Sequence, residues 1–84
     1  MSPRVRVYSR QGCHLCEEAM AVVTDVCSAL GESFEEVDVD SDPELARRFG
    51  EEVPVTFVDG LQHDFWRVDP ARLTRALQGG RSAG

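Results

Sequence analysis

The sequence contains no lysine, and its nine basic residues are all arginine. Fifteen acidic residues outnumber them, so the formal net charge is −6 at pH 7. Because nonspecific binding to nucleic acids needs clustered positive charge, this balance argues against a nucleic-acid partner. We interpret the missing lysine as a compositional bias of the source genome, with no consequence for mechanism.

Long apolar runs are also missing, and no stretch approaches the roughly 20 apolar residues of a membrane span. Residues 1–4 lead directly into a strand-like pattern and do not resemble a signal peptide. We therefore expect a cytoplasmic protein that does not bind membranes. The length of 84 residues predicts one small domain at residues 1–78, a flexible tail at residues 79–84 and a monomer.

Cysteine is scarce, with three in the chain, which is too few for the disulfide framework of a small secreted protein. In the cytoplasm, cysteines more often serve catalysis or metal binding. Two of them form the motif Cys13-His14-Leu15-Cys16, which follows a strand-like run and opens a long amphipathic run. Two thiols at this spacing and at such a junction are typical of a thiol–disulfide redox pair.

The position of Cys13 at a predicted helix start favours a reactive sulfur. Unpaired N–H groups and the positive end of the helix dipole point towards this position, and both favour thiolate over thiol. The thiolate is the attacking species in disulfide exchange. We therefore predict that Cys13 is the nucleophile.

The pattern of apolar residues predicts the order β-α-β-α-β-β-α, an α/β fold. The long helix after the cysteines ends at Gly31. Asp42-Pro43 and Asp69-Pro70 each combine a capping residue with a proline at the first helical position. Asp59-Gly60 is a two-residue hairpin signal. The predicted strands cover residues 4–8, 34–40, 55–58 and 61–65.

Several segments together resemble glutaredoxin-like proteins of the thioredoxin fold, and the resemblance covers residues 4–77. It is carried by the segments 8–16, 36–40, 53–55 and 59–60. The resemblance implies a thioredoxin-like, four-stranded mixed sheet flanked by helices. It also implies a thiol–disulfide oxidoreductase that has no bound cofactor. Such an enzyme would reduce protein disulfides, or mixed disulfides with glutathione or another low-molecular-weight thiol.

The resemblance also assigns roles to individual residues. Cys13 would be the more exposed sulfur, and Cys16 would be the buried resolving thiol. An X-Pro bond is ordinarily trans, but the resemblance implies a cis Pro54 that faces the cysteine pair. The backbone of Val53 would then pair with an extended substrate or with glutathione. The alternative is that Pro54 is an ordinary proline at the start of a strand.

Three further residues are candidates for substrate binding. Arg10 stands where glutaredoxins commonly carry a lysine that faces the glutathione carboxylate, although it could equally be a surface charge. His14 either stabilises the Cys13 thiolate when protonated or is simply solvated. Leu15 is best explained as a contact for an apolar patch on the partner.

Two features limit these expectations. Glutaredoxins that use glutathione usually carry a glycine pair before the last helix, and the segment 65–70 has none. Cys27 lies eleven residues after Cys16, about 16 Å along the helix axis. Because a disulfide needs Cα atoms within about 7 Å, we predict that Cys27 packs in the core.

The sequence alone leaves two other classes of function open. The cysteine pair could supply half of a zinc or iron–sulfur site, but two thiolates fall short of four ligands, so a second subunit would have to complete it. We therefore predict no metal within a single chain. The chain could also be a non-catalytic adaptor that binds extended peptides beside Pro54.

Overall fold

Four strands and three helices follow one another in the predicted order within residues 3–82, the range that the computed structural model describes. A single turn of 3-10 helix, Val39–Ser41, separates the second strand from the second helix. The elements are β1 (Val5–Ser9), α1 (His14–Leu30), β2 (Phe34–Asp38), α2 (Pro43–Phe49), β3 (Val55–Val58), β4 (Leu61–Phe65) and α3 (Pro70–Ser82).

The strands form one mixed sheet in the order β2-β1-β3-β4, which confirms the predicted α/β architecture. Strand β1 pairs in parallel with β2 and antiparallel with β3, and β3 and β4 form an antiparallel hairpin. In this register Ser9 is opposite Asp38, Tyr8 is opposite Val55, and Val55 is opposite Phe65. The end of β1, the end of β2, the start of β3 and the end of β4 therefore lie along one edge of the sheet.

The larger core lies between the sheet and the helices α1 and α3. Val5 and Val7 are fully buried on this face, and Val58 joins them from the neighbouring strand. Helix residues at a spacing of three or four complete the cluster, because this spacing keeps side chains on one helix face. They are Ala19, Val23, Val26, Cys27, Leu73 and Leu77, with Val68 from the preceding loop. Within residues 3–82, no helix has both the length and the apolar character to cross a membrane.

The opposite face of the sheet is covered only in part. Helix α2 has seven residues, and its Phe49 ring stacks on Tyr8 with a centroid distance of 4.7 Å. Further along β1, Arg6 is 43% exposed and its guanidinium pairs with Glu35 of β2 at 2.5 Å. The alternation of arginine and valine along β1 predicts a thin helix layer over the arginines, and the structure confirms it.

Local signals set most element boundaries. Asp59 and Gly60 both adopt positive φ, 52° and 83°, as a tight hairpin turn requires. Asp42 caps α2 by accepting a hydrogen bond from the backbone N–H of Glu44 at 2.9 Å. Asp69 caps α3 in the same way through the N–H of Ala71, also at 2.9 Å.

Two predicted boundaries differ from the structure. Strand β2 ends at Asp38, and not at residue 40, because the Asp38 carboxylate accepts the N–H of Asp40 at 2.9 Å and so turns the chain. Helix α3 continues through residues 79–82, which the sequence assigns to the tail. A glycine costs only about 1 kcal/mol in a helix, so the pair at 79–80 does not end it. Residues 83–84 lie outside the described part.

The buried apolar face of α3 allows a stability test with a matched control. We expect Leu73→Ala to lower the free energy of unfolding by about 2–5 kcal/mol, because Leu73 is fully buried. Leu61→Ala makes the same chemical change at a side chain that is 75% exposed, and should cost less than about 1 kcal/mol. Urea denaturation would measure both, and equal losses would contradict this description of the core.

Candidate active site

The turn before α1 brings Cys13 to the sheet edge at which β1 ends, the cysteine edge. Gly12 has φ of 76°, a left-handed conformation that glycine adopts without steric cost. Cys13 follows in an extended conformation, with φ −97° and ψ 112°, and is the N-cap of α1. The chain thus changes from strand to helix within four residues, and Cys13 lies at the helix start as predicted.

The Cys13 sulfur occupies the position of a capping oxygen. The backbone N–H of Cys16 donates a hydrogen bond to Cys13 Sγ, with a nitrogen–sulfur distance of 3.2 Å. In most helices serine, threonine or aspartate accepts this bond, which satisfies one of the unpaired N–H groups of the first turn. A hydrogen bond of this kind is stronger to a charged acceptor than to a neutral one. The Cys13 sulfur therefore satisfies one N–H group of the first turn of α1.

The two cysteines of the motif differ in exposure as the resemblance implies. Cys13 is half-buried, whereas Cys16 is 3% exposed and belongs to the inner face of α1. Burial, and next the hydrogen bond with Cys13, raise the pKa of the Cys16 thiol to about 12. At neutral pH Cys16 is therefore a protonated thiol behind a more accessible sulfur.

Cys27 has no part in this arrangement. It is fully buried in the larger core, in the cluster that also contains Val23 and Val26 of α1. Burial raises the pKa of its thiol as well. The structure confirms the prediction that Cys27 is a core residue.

A cleft of about 310 Å³ lies between the cysteine turn and the ends of β1 and β2. Among the described residues that line it, the charged side chains are one cation, Arg10, and three carboxylates, those of Glu17, Glu36 and Asp38, so this lining is acidic. Its remaining lining residues are Ser9, Gln11, Gly12, Cys13 and Cys16. The Ser9 hydroxyl donates a hydrogen bond to the Glu36 carboxylate at 2.7 Å.

Arg10 lines the cleft, but its guanidinium is held by the protein itself. Its Nε and Nη2 each donate to the Asp40 carboxylate at 3.1 Å. Its Nη1 donates to the carbonyl of Gly50, also at 3.1 Å. Arg10 therefore links the turn after β1 to the 3-10 turn Val39–Ser41 and to Gly50, the C-cap of α2. The predicted contact between Arg10 and a substrate carboxylate would compete with these hydrogen bonds.

His14 and Leu15, the two residues between the cysteines, lie in different surroundings. The His14 side chain is 98% exposed, and its Nδ1 is 3.8 Å from the Glu17 carboxylate. This position favours the interpretation of His14 as a solvated residue. Leu15 is half-buried and lines a second cleft, of about 160 Å³, together with Val22 and Trp66. An apolar contact surface for a partner is consistent with this position.

The Val53–Pro54 peptide bond is cis, which confirms the geometry that the resemblance implies. Pro54 is buried, and its carbonyl accepts the backbone N–H of Trp66 at 2.7 Å. Because Val55 pairs with Tyr8, the two residues before it lie at the cysteine edge. The backbone of Val53 makes no hydrogen bond to another residue of the range 3–82, so it is available to an extended ligand.

Sequence reasoning did not single out Ser9 and Glu36 as residues of the site. Ser9 and Glu36 are neighbours because β1 and β2 pair in parallel, with Ser9 opposite Asp38 and Val7 opposite Glu36. Polar residues at the carboxyl ends of two adjacent parallel strands are a recognisable signal, because these ends meet at one sheet edge.

Comparison with known proteins places the chain in a family. A family model described as a glutaredoxin-like domain (DUF836) matches residues 4–78. The chain belongs to this glutaredoxin-like family. A curated relative from Mycobacterium tuberculosis, "Uncharacterized protein Rv0508", is 34% identical over 76 residues, which is 84% of this chain and 78% of the relative.

Solved structures show the same fold. Target protein XcR50 from X. campestris is 28% identical, with a TM-score of 0.73, and the match covers 89% of this chain and 96% of that one. Thioredoxin 1 from Thermosipho africanus has a TM-score of 0.67 at 10% identity, with 94% of each chain covered. This glutaredoxin-like protein therefore has the thioredoxin fold.

The differences in burial predict an order of alkylation. With iodoacetamide near pH 8, we expect Cys13 to react first, because it is the most accessible of the three sulfurs. Cys16 should react slowly, and faster as the pH rises towards its pKa of about 12. Cys27 should react only after unfolding. Peptide mapping by mass spectrometry would give the three rates, with the urea-unfolded reduced protein as the control. Equal rates in the folded protein would contradict the described site.

Proposed function

We propose that this glutaredoxin-like protein is a dithiol thiol–disulfide oxidoreductase. The observation that carries the proposal is the hydrogen bond from the Cys16 N–H to Cys13 Sγ at the start of α1. It combines an accessible sulfur at the N-cap of α1 with a second thiol one helical turn away. Such a pair needs no bound cofactor, because the two sulfurs carry both electrons.

The reaction has two exchanges. The Cys13 thiolate attacks one sulfur of a disulfide R–S–S–R′, a Cys13–SR bond forms, and R′S⁻ leaves. Cys16 then loses its proton and attacks the Cys13 sulfur, so that the Cys13–Cys16 disulfide forms and RS⁻ leaves. The partner gains two electrons and the enzyme loses two. An external thiol restores the reduced pair by the reverse chemistry.

The charge of the cleft supports protein disulfides as the main substrate. Three carboxylates line it, and its one cation, Arg10, is held by Asp40 and Gly50. Glutathione brings two carboxylates of its own, and like charges repel at close range. A disulfide in a protein segment of neutral or basic character avoids this cost. We propose that the reaction takes place in the cytoplasm on a monomer, with a low-molecular-weight thiol as one source of electrons.

The exposed edge of the proposed enzyme supports binding of an extended segment. The unbonded backbone of Val53 can add hydrogen bonds to a substrate strand, and the cleft at Leu15 and Trp66 can take an apolar side chain. By contrast, the described residues contain no group of three or more histidine, cysteine or acidic side chains arranged for a metal ion. No observation within residues 3–82 favours the metal-binding alternative over the redox one.

Cysteine replacements test the proposal. In an assay of insulin disulfide reduction coupled to excess thiol, we expect Cys13→Ser to reduce the rate to that of the thiol alone, because the nucleophile is lost. Cys16→Ser should form a mixed disulfide on Cys13 that intact-mass spectrometry detects, because no resolving thiol remains. Full dithiol turnover in Cys16→Ser would refute the scheme.

Cys27→Ala is the matched control for these variants. It removes the third thiol, which is fully buried in the core. Its activity should equal that of the unchanged protein, although its free energy of unfolding should be somewhat lower. Loss of activity in a folded Cys27→Ala protein would assign this cysteine a role that its position does not suggest.

A further inference from the structure

We propose that the sheet face that α2 covers only in part carries a second ligand site, for a small phosphate ester with a flat ring. The ligand would have about the size of a nucleoside monophosphate. The site lies on the opposite face of the sheet from the larger core, and its lining does not include the cysteines. It goes beyond the proposed redox function and does not depend on it.

A cleft of about 400 Å³, the arginine cleft, lies between α2 and the strands β1 and β3. Its volume falls within the range of roughly 300–1,000 Å³ that is usual for small-molecule sites. The described residues that line it supply three guanidinium groups and no carboxylate, although the formal charge of the chain is −6. The arginines are Arg4, Arg6 and Arg48, and the rings of the lining are Tyr8, Phe49 and Phe57.

Arg4 is held by the protein and forms a fixed wall of the cleft. Its Nε and Nη2 each donate to the Asp59 carboxylate at 2.9 Å, and its Nη1 donates to Glu32 at 2.7 Å. All three nitrogens of the guanidinium are therefore engaged, and two carboxylates balance its charge. We assign Arg4 no contact with the ligand.

Arg6 and Arg48 are less committed. Arg6 pairs with Glu35 through Nε, so this ion pair does not use its two Nη groups. The hydrogen bond with Tyr8, and next the one with Glu35, raise the pKa of Arg6, which places the phenol beside the guanidinium. Among the described residues no carboxylate pairs with Arg48, whose guanidinium lies 4.9 Å from the centroid of the Phe49 ring.

The position of Arg48 in its helix does not by itself explain its place in the cleft. A cation in the last turn of a helix interacts favourably with the helix dipole. Arg47 occupies the same turn, is 74% exposed, and pairs with Glu44 of the first turn. Arg47 does not line the cleft. The two neighbouring arginines thus share the dipole interaction, and only Arg48 adds its charge to the cleft.

A phosphate ester suits guanidinium groups that come from two different elements. Arg6 belongs to β1 and Arg48 to α2. A phosphate monoester carries a charge of about −1.5 to −2 at pH 7 and three acceptor oxygens. It can therefore accept hydrogen bonds from both arginines, whereas a carboxylate offers one charge and two oxygens. Guanidinium groups bind phosphate through paired, parallel hydrogen bonds.

The aromatic side chains account for the flat ring of the ligand. Phe57 is opposite Arg6 in the pairing of β1 with β3, so its ring and the guanidinium share one face of the sheet. Phe57 and Tyr8 are both half-buried, and their rings meet edge to face with centroids 5.6 Å apart. A ligand ring can pack on the accessible parts of these rings, because aromatic pairs are favourable at such distances.

The two clefts of the sheet differ in charge, so the ligand should select one of them. The described lining of the cleft at Cys13 contains three carboxylates and one cation, Arg10, which is bonded to Asp40. An anionic ligand is repelled there, since like charges oppose close approach. We therefore expect the phosphate ester to bind at the arginine cleft alone.

The test is an NMR titration of the reduced, ¹⁵N-labelled full-length protein with adenosine monophosphate near pH 7. We expect saturable changes in the amide signals of Arg6, Arg48 and Phe57, and none in those of Cys13 and Cys16. Adenosine and inorganic phosphate, titrated separately, should each bind at least about tenfold more weakly, because each lacks half of the contacts. The titration involves no thiol reaction, so its result does not depend on the proposed function.

Arg48→Gln and Arg47→Gln form a matched pair. Each removes one cation from the last turn of α2, and only the first removes it from the cleft. Arg48→Gln should weaken the binding of adenosine monophosphate about tenfold or more, as expected for the loss of a hydrogen bond between charged groups. Arg47→Gln should bind it with nearly unchanged affinity. The amide spectrum of each variant also shows whether it is folded.

Four results would overturn the proposal. The first is the absence of saturable shifts up to about 10 mM adenosine monophosphate, beyond the millimolar range of weak binding. The second is a set of shifts centred on the cysteines, and the third is equally tight binding of adenosine or of phosphate alone. The fourth is an affinity of Arg48→Gln that is no lower than that of Arg47→Gln. The first three are measured on the unchanged protein and stand even if a variant does not fold.

Discussion

The pairing of β1 with two neighbours of opposite direction is the constraint on which the rest of the structure depends. Because β1 runs parallel to β2 and antiparallel to β3, its carboxyl end meets the end of one strand and the start of the other. The cysteine turn, the cleft carboxylates and the cis Val53–Pro54 bond consequently share the cysteine edge, although they are far apart in the chain. Hydrogen bonds on both sides of β1 hold that edge in place.

The difference between the two reactive sulfurs follows from the geometry of one helical turn. A helix buries one face and exposes another, so positions three residues apart at its start lie at different depths. Cys13 is at the cap, where its sulfur accepts the backbone N–H of Cys16, and Cys16 is on the buried face of α1. The fold therefore produces an accessible sulfur and a protected one without further machinery.

Much of this fold could be predicted from local sequence signals. The Asp59-Gly60 turn, the Asp-Pro helix starts and the alternating valines of β1 each depend on neighbouring residues, and the structure confirms all three. The end of β2 was predicted wrongly, because the side chain of Asp38 competes with the sheet for a backbone N–H. The partners of Arg10 and the position of Glu36 depend on side-chain conformations across the sheet register. Such long-range pairings have no local pattern, so the sequence does not reveal them.

The shortness of α2 has a consequence for how the domain opens. Around Tyr8 and Val55 the sheet is packed on both faces, whereas the half that contains Arg4 and Arg6 is covered on one face and borders a cleft of about 400 Å³ on the other. Segments with fewer buried apolar contacts open at lower free-energy cost. We therefore expect local fluctuations to begin at the hairpin end of the sheet. The cysteine edge should be the last part of the sheet to loosen, so that the spacing of the two sulfurs is preserved while the far end exchanges its amide protons.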